Sequence, residues 1–256
     1  MDILFTVCGR AGSKGIKNKN IKEFLGYPLP YYTFSAIAQY LEEYSEDTID
    51  VALNTDSPEL IEIANSNPFV KISIINRKPE LGGDRVPKTA VILDTFVQMQ
   101  EKNGKQYSMV IDLDLTSPLR TAKDIDELIK KQKEKKADVT FSVTDSRRNP
   151  YFNMVMDSDK GVKKVLQSNF VARQQAPAVY DMNASLYAYN PEYLKSGKGV
   201  LDGYCEVIKM FDTGILDLDH ENDFELMQVI ADYLFKNKTE FQNARAFIEN
   251  TKPVVY

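Results

Sequence analysis

The chain has one histidine and two cysteines among 256 residues. With His220 alone and no G-x-S-x-G motif, serine-nucleophile chemistry has no partner base in its usual setting; His220 is assigned no role. Cys8 and Cys205 lie far apart and build neither a disulfide framework nor a zinc site. Cys8, at the end of an apolar run, reads as a small packing residue. No apolar stretch is long enough to span a bilayer, and Asp2 followed by a short apolar run gives no signal-peptide pattern; the expected setting is cytoplasmic, with no membrane partner. An excess of positive charge is missing too. The net charge of -5 argues against a nucleic-acid partner. What is present is 43% hydrophobic and 27% charged, the ordinary composition of a globular chain, long enough for one large domain or one domain with a sizeable insertion.

Against that acidic background one stretch stands out. Residues 3–8, Ile-Leu-Phe-Thr-Val-Cys, read as a short buried strand closed by Gly9. Then follow Arg10-Ala11-Gly12-Ser13-Lys14-Gly15-Ile16-Lys17-Asn18-Lys19-Asn20, with Gly9, Gly12 and Gly15 spaced G-x-x-G-x-x-G and no acid before Glu23. Glycine lets backbone N–H groups turn toward a ligand at close range, and the cations supply the charge such a ligand requires. A positive, glycine-rich loop after a first strand is a cradle for phosphate. It is neither the dinucleotide G-x-G-x-x-G nor the G-x-x-x-x-G-K-[ST] loop. The plainer reading is a solvated basic loop between a strand and a helix.

The rest of the chain alternates strand and helix. The patterns predict helices over residues 31–44, from Ser57-Pro58, over 89–102, from Thr121 with Asp124 as its capping partner, and over 224–235. Strands are predicted over 49–53, 70–75, 109–115, 137–143, 184–189 and 207–211. Thr239 with Gln242 suggests the capping box of a last helix. Such alternation implies an α/β fold, mainly parallel, with helices on both faces. Residues 145–181 break the rhythm with a hairpin about Asp157-Ser158-Asp159-Lys160-Gly161 and read as an insertion. The chemistry-bearing main domain is then 1–144 with 182–256.

Ligands of open α/β sheets bind at the carboxyl ends of strands. Three polar clusters are predicted there: the basic loop, the segment from Asp112 and Asp114 to Arg120, and Asp217 with Asp219. In an extended segment, residues two apart share a face, so Asp217 and Asp219 repel unless a cation lies between them. Magnesium held by carboxylates plus substrate phosphates is the usual solution. These aspartates can instead cap the helix near Asn222. Asp114 is the better ligand of the other pair, since Asp112 can be a buried acid held by backbone amides. The loop 77–88, irregular and long, is a functional candidate, with Arg77, Asp84 and Lys88 as nucleotide-binding residues.

These residues resemble a known pattern. Arg10-x-x-Ser13-Lys14-Gly15 with Lys19-Asn20, Thr116-Ser117-Pro118-Leu119-Arg120, Arg173-Gln174 with Asn183, and Asp217-x-Asp219 follow the order of motifs in the acylneuraminate (CMP-nonulosonic acid) cytidylyltransferases. Ile111-Asp112-Leu113-Asp114, Arg148-Asn149-Pro150-Tyr151-Phe152-Asn153 and Tyr180-Asp181-Met182-Asn183 are most similar to the members acting on legionaminic acid. The resemblance implies a Rossmann-like nucleotidyltransferase fold and a homodimer. It implies a Mg2+-dependent reaction of CTP with a nonulosonic acid to give a CMP-sugar and pyrophosphate. Arg10, Gly12, Ser13, Lys14, Lys19 and Asn20 would hold the nucleotide, with Arg10, Lys14 and Asp217 as the catalytic residues. Asp114, Thr116, Ser117, Arg120, Arg173, Gln174 and Asn183 would meet the sugar. Asp217 and Asp219, with Asp114, would hold the metal, and the insertion would pair with a second subunit and close over the sugar. The chain departs from the pattern at Asp114, where sialic-acid members carry glutamine, at Lys88, where some carry a small hydroxyl residue, and at Ala184, where glycine is common. Rival readings are a Kdo or sugar-1-phosphate nucleotidyltransferase, a glycosyltransferase using Asp112-x-Asp114 as its metal motif, and a nucleotide-binding regulatory module.

Overall fold

The computed structural model describes residues 1–12, 15–213 and 218–251, with the backbone alone at Arg173. The first strand, β1 (Asp2–Cys8), is apolar and buried along its middle. It is followed by the two-residue strands β2 (Glu23–Phe24) and β3 (Tyr27–Pro28), helix α1 (Leu29–Glu43), β4 (Thr48–Thr55), α2 (Pro58–Ser66) and β5 (Ser73–Asn76). Next come α3 (Lys88–Asn103), β6 (Met109–Leu113), α4 (Ala122–Lys135) and β7 (Val139–Asp145). A separate hairpin of β8 (Val155–Ser158) and β9 (Gly161–Lys164) precedes β10 (Tyr180–Tyr189), α5 (Pro191–Lys195), β11 (Cys205–Lys209), α6 (Glu221–Asn237) and α7 (Thr239–Asn250).

The main sheet runs β11-β7-β10-β6-β1-β4-β5. All its neighbours are parallel except β10, which is antiparallel to both β6 and β7. Alternation along β1 sorts the core. Ile3, Phe5 and Val7 face α1, α2 and α4 through Phe34, Ile37, Leu60, Ile125 and Leu128. Leu4 faces α3 through Ile92, Phe96 and Met99. A third cluster joins distant parts of the chain: Ile16 from the basic loop and Leu218 pack with Phe24, Leu119, Phe224 and Met227. Burying apolar side chains of this size stabilises by roughly 1.5–3 kcal/mol each, so the loop after β1 and the segment before α6 are held together. Among the described residues, no helix is long and apolar enough to cross a membrane.

Several boundaries differ from the sequence reading for local reasons. Helix α1 starts at Leu29, because Pro30 falls in the first turn, where its missing N–H costs nothing. Strand β5 starts at Ser73, since the Asn67 carboxamide accepts the N–H groups of Phe69 and Val70 and holds them in a turn. Strand β6 ends at Leu113, where Asp114 Oδ1 accepts the Thr116 N–H and turns the chain. Helix α7 has no capping box: Lys238 occupies the cap position without a side-chain bond, and Gln242 donates to the Lys236 carbonyl. Thr121 and Asp124 do form the reciprocal box expected of them.

Candidate active site

The basic turn is shaped by its backbone. Gly9 leaves no room for a side chain, since a Cβ there would lie 2.5 Å from Leu60 and 2.7 Å from Leu115. Gly12 has φ +69°, left-handed backbone that glycine adopts without strain. Asn20 Nδ2 donates to the Arg10 carbonyl at 3.1 Å, and the Ala11 N–H donates to Asp56 Oδ1 at 2.8 Å. Arg10 itself pairs with Asp84. Ser13 and Lys14 lie outside the described residues.

The other end of the chain meets this turn. A Cβ on Gly15 would stand 2.0 Å from the Asp219 carbonyl oxygen and 3.1 Å from its carbonyl carbon. Lys19 Nζ donates to the Leu218 carbonyl at 2.7 Å and stands 3.7 Å from Asp219 Oδ1. Asp219 is not a helix cap. The α6 cap position belongs to His220, and Asp223 accepts the N–H groups of Asp219 and His220. That leaves the Asp219 carboxylate 68% exposed. Asp217 lies outside the described residues.

Beside the turn, at the carboxyl ends of β1 and β5, is a cleft of about 220 Å³ lined by Cys8, Arg10, Asn20, Arg77, Asp84 and Lys88. Arg77 is aimed by Asn54, whose side-chain and main-chain oxygens each accept from it at 3.0 Å. Burial and the nearby Asp112 charge push the Cys8 thiol well up, which makes it a poor nucleophile.

Lys88 does something the sequence did not show. Its ammonium lies 2.7 Å from Asp112 Oδ2 and 2.7 Å from Asp114 Oδ2. Burial alone would lower its pKa, but the two carboxylates outweigh that and hold it well above the ordinary lysine value. Asp114 moves the other way. Desolvation raises it, while Lys88 and the Thr116 hydrogen bonds bring it below the usual carboxylate range. Asp112 is fully buried, but it is held by the Thr6 hydroxyl at 3.0 Å and by Lys88, not by backbone amides. An Asp112-x-Asp114 pair already bridged by an ammonium is a poor glycosyltransferase metal motif.

Arg120, expected at the substrate, is 2% exposed and faces inward. Its guanidinium donates to the Asp114 and Ser185 carbonyls at 2.6 and 2.9 Å and to the Ser185 and Thr33 hydroxyls. Burial lowers its pKa to about 10. It positions the Asp114 turn against β10. Ahead of it, Thr116 and Ser117 line a narrow slot with Asn183, Thr144 and Met210. Asn183 is aimed by the Ser142 hydroxyl, 2.6 Å from its Oδ1. The irregularity that turns Asn183 and Ser185 inward is the register shift between Met182 and Tyr187, with Ala184 at φ +51°.

Gln174 is exposed on the short turn Arg173–Gln175 of the insertion, and the Arg173 side chain lies outside the described residues. The structure therefore gathers Arg10, Asn20, Arg77, Asp84 and Lys88 in one cleft and Thr116, Ser117 and Asn183 in a second, and sets Lys19 and Asp219 side by side. Sequence reasoning missed Thr6, Thr33, Asn54, Ser142 and Ser185, the buried polar residues that aim the others. Their only signal was a polar residue inside an apolar strand or helix pattern.

A glycine-shaped cleft carrying Arg10, Arg77 and Lys88 at the carboxyl ends of a mainly parallel sheet lies where open α/β proteins take their ligands. Comparison with known proteins narrows this. The family model described as "Cytidylyltransferase" matches residues 4–246, and the chain belongs to that family. It is 31% identical over 245 residues to the post-translational flagellin modification protein B of Campylobacter coli, covering 93% of this chain and 96% of that one. It is also 31% identical over 229 residues to CMP-N,N'-diacetyllegionaminic acid synthase of Campylobacter jejuni, covering 90% and 94%. Among solved structures, CMP:2-keto-3-deoxy-manno-octonic acid synthetase complexed with CTP superposes with a TM-score of 0.62 at 12% identity, covering 91% of this chain and 99% of that one. That last likeness concerns the fold alone.

Proposed function

We infer that the protein transfers the cytidylyl group of CTP to a nonulosonic acid, legionaminic acid or a related sialic acid, releasing pyrophosphate. The observation that carries this reading is the contact of Gly15 with Asp219, which brings a cationic turn and an exposed carboxylate to one place beside a cleft that carries Arg10, Arg77 and Lys88. The attacking group is the sugar's anomeric hydroxyl and the target is the α-phosphorus of CTP. Such chemistry needs alignment and charge neutralisation more than covalent help. Arg10, Ser13, Lys14, Lys19 and Arg77 bind the triphosphate, with Gly12 and Asn20 shaping the turn around it, and Arg10 exchanges Asp84 for phosphate. Thr116, Ser117 and Asn183 form one wall of the sugar site. Arg173 and Gln174 of the insertion close on it.

Magnesium fits part of this set. Among the described residues, which do not include Asp217, no three acidic, histidine or cysteine side chains gather to hold a metal; an ion that draws partly on substrate oxygens, the usual habit of magnesium, suits a site with one or two carboxylates. Asp219 has the right donor chemistry: a hard oxygen, mostly exposed, beside the phosphate turn. Asp217, two residues earlier, is its proposed partner. When bound, the ion would neutralise charge on the phosphates and orient the sugar.

The hairpin exposes Val155 and Val162, and Val171 beyond it is 81% exposed. A second copy of the chain covering these residues would give the homodimer that the insertion is proposed to form, in the cytoplasm. The test is mass spectrometry of products after incubation with CTP, Mg2+ and a panel of nonulosonic acids. The expected result is a CMP-sugar and pyrophosphate with at least one of them. Product only with another nucleotide or with a sugar 1-phosphate would refute the reading.

A further inference from the structure

We propose that Lys88 is a built-in cation occupying the place where Asp112 and Asp114 would otherwise gather a second divalent ion, so that the enzyme binds one metal, on the Asp219 side, and not two. The inference rests on the cytidylyl-transfer reading above. Its observations are the partners of four carboxylate oxygens. Asp112 Oδ1 accepts the Thr6 hydroxyl at 3.0 Å. Asp112 Oδ2 lies 2.7 Å from the Lys88 ammonium, an ion pair without hydrogen-bond geometry. Asp114 Oδ1 accepts the Thr116 N–H and hydroxyl at 2.8 and 2.6 Å, and Asp114 Oδ2 accepts Lys88 at 2.7 Å. Neither aspartate presents an oxygen without a neighbour.

The charges point the same way. Two carboxylates two residues apart at a strand end are a ready divalent site only while nothing cationic stands between them. Here an ammonium does, and the Arg120 guanidinium is bonded to the Asp114 carbonyl besides. A metal within bonding distance of Asp114 would face both cations at close range in a partly buried setting, where screening by salt is weak. Lys88 starts α3 just past Pro87 and lines the same cleft as Arg10 and Arg77. Fixed there, it offsets part of the negative charge that Asp112 and Asp114 bring to the cleft. A lysine at position 88 and an aspartate at 114 therefore form one unit.

The experiment is Mn2+ binding followed by electron paramagnetic resonance on the full chain, with CTP and without sugar. In Asp114→Asn, which keeps an oxygen for Thr116, the Mn2+ affinity should stay within twofold of the unsubstituted protein. A tenfold loss would make Asp114 a metal ligand and overturn the proposal. In Lys88→Gln, measured without nucleotide, the freed carboxylates should bind Mn2+ at least tenfold more tightly than before. Asp114→Asn added to that variant should abolish the gain, and no gain in a folded Lys88→Gln protein would also overturn the proposal. Should Lys88→Gln fail to fold, the Asp114→Asn result decides alone. None of these readouts involves turnover. A protein that makes no CMP-sugar would refute the functional reading while leaving the metal count measurable.

Discussion

Replacing Gly15 by alanine tests the junction on which the site depends. The new methyl would be built 2.0 Å from a main-chain oxygen of Asp219, with the carbonyl carbon at 3.1 Å and Cα at 3.7 Å. Backbone atoms cannot swing aside as a lysine tip can. An ordinary contact is about 3.4 Å, so the turn and the Asp219 segment must separate by roughly 3.4 − 2.0 = 1.4 Å. A displacement of about 1 Å in a positioned group costs on the order of 100-fold in rate. The expected result is therefore a kcat/KM lower by about 100-fold, or about 2.7 kcal/mol of transition-state stabilisation. The first two clusters of the core are not touched, but Ile16 and Leu218 of the third flank the junction, so Tm should fall as well, by several degrees. The assay is pyrophosphate release at fixed CTP and sugar, with thermal unfolding in parallel. Unchanged kcat/KM in a well-folded Gly15→Ala protein would show that the closeness of the two segments has no part in catalysis.

Four other outcomes are expected. Asp219→Asn removes the exposed carboxylate and should raise the Mg2+ concentration for half-maximal activity about tenfold; an unchanged titration refutes its role as ligand. Arg120→Met leaves two carbonyls and two hydroxyls buried without their donor and should cost about 3 kcal/mol in urea unfolding, far more than a surface substitution. Ala184→Gly relieves a left-handed residue and should stabilise by up to about 1 kcal/mol. Asp47, Asp50 and Asp114 all have pKa values held below the ordinary carboxylate value of 3.8, so they bind fewer protons folded than unfolded. Their contribution is complete above that value and is lost as pH falls below it through the folded values; Tm followed from pH 6 downward should decline from about pH 4.

The layers were legible because their signals are local. The apolar run of β1, the Ser57-Pro58 start of α2 and the Thr121 to Asp124 box are each written in a few neighbouring residues, and the structure shows all three. The approach of the basic turn to the Asp219 segment followed from strand order alone, because both were expected at the carboxyl end of a parallel sheet. Harder to read were the partnerships. Lys88 with Asp112 and Asp114, Arg120 with Thr33 and Ser185, and Arg10 with Asp84 all join residues at least 24 positions apart. No spacing rule links such residues, and the same side chains read equally well as ligand contacts. Arg120 shows the difficulty plainly. An arginine after a strand end suggests an anion site, and only its burial reveals that its hydrogen bonds are all made within the protein. Ala184 was visible as a departure from a glycine motif, yet its φ of +51° could not be inferred from a residue that seldom adopts it.

The most direct measurement is a crystal structure with a non-hydrolysable CTP analogue and Mg2+. The expected result is the triphosphate bound where Gly15 meets Asp219, with one magnesium ion on the Asp219 side and the Lys88 ammonium still between Asp112 and Asp114. A triphosphate bound away from the turn, or a magnesium ion on Asp114 with Lys88 displaced, would contradict it.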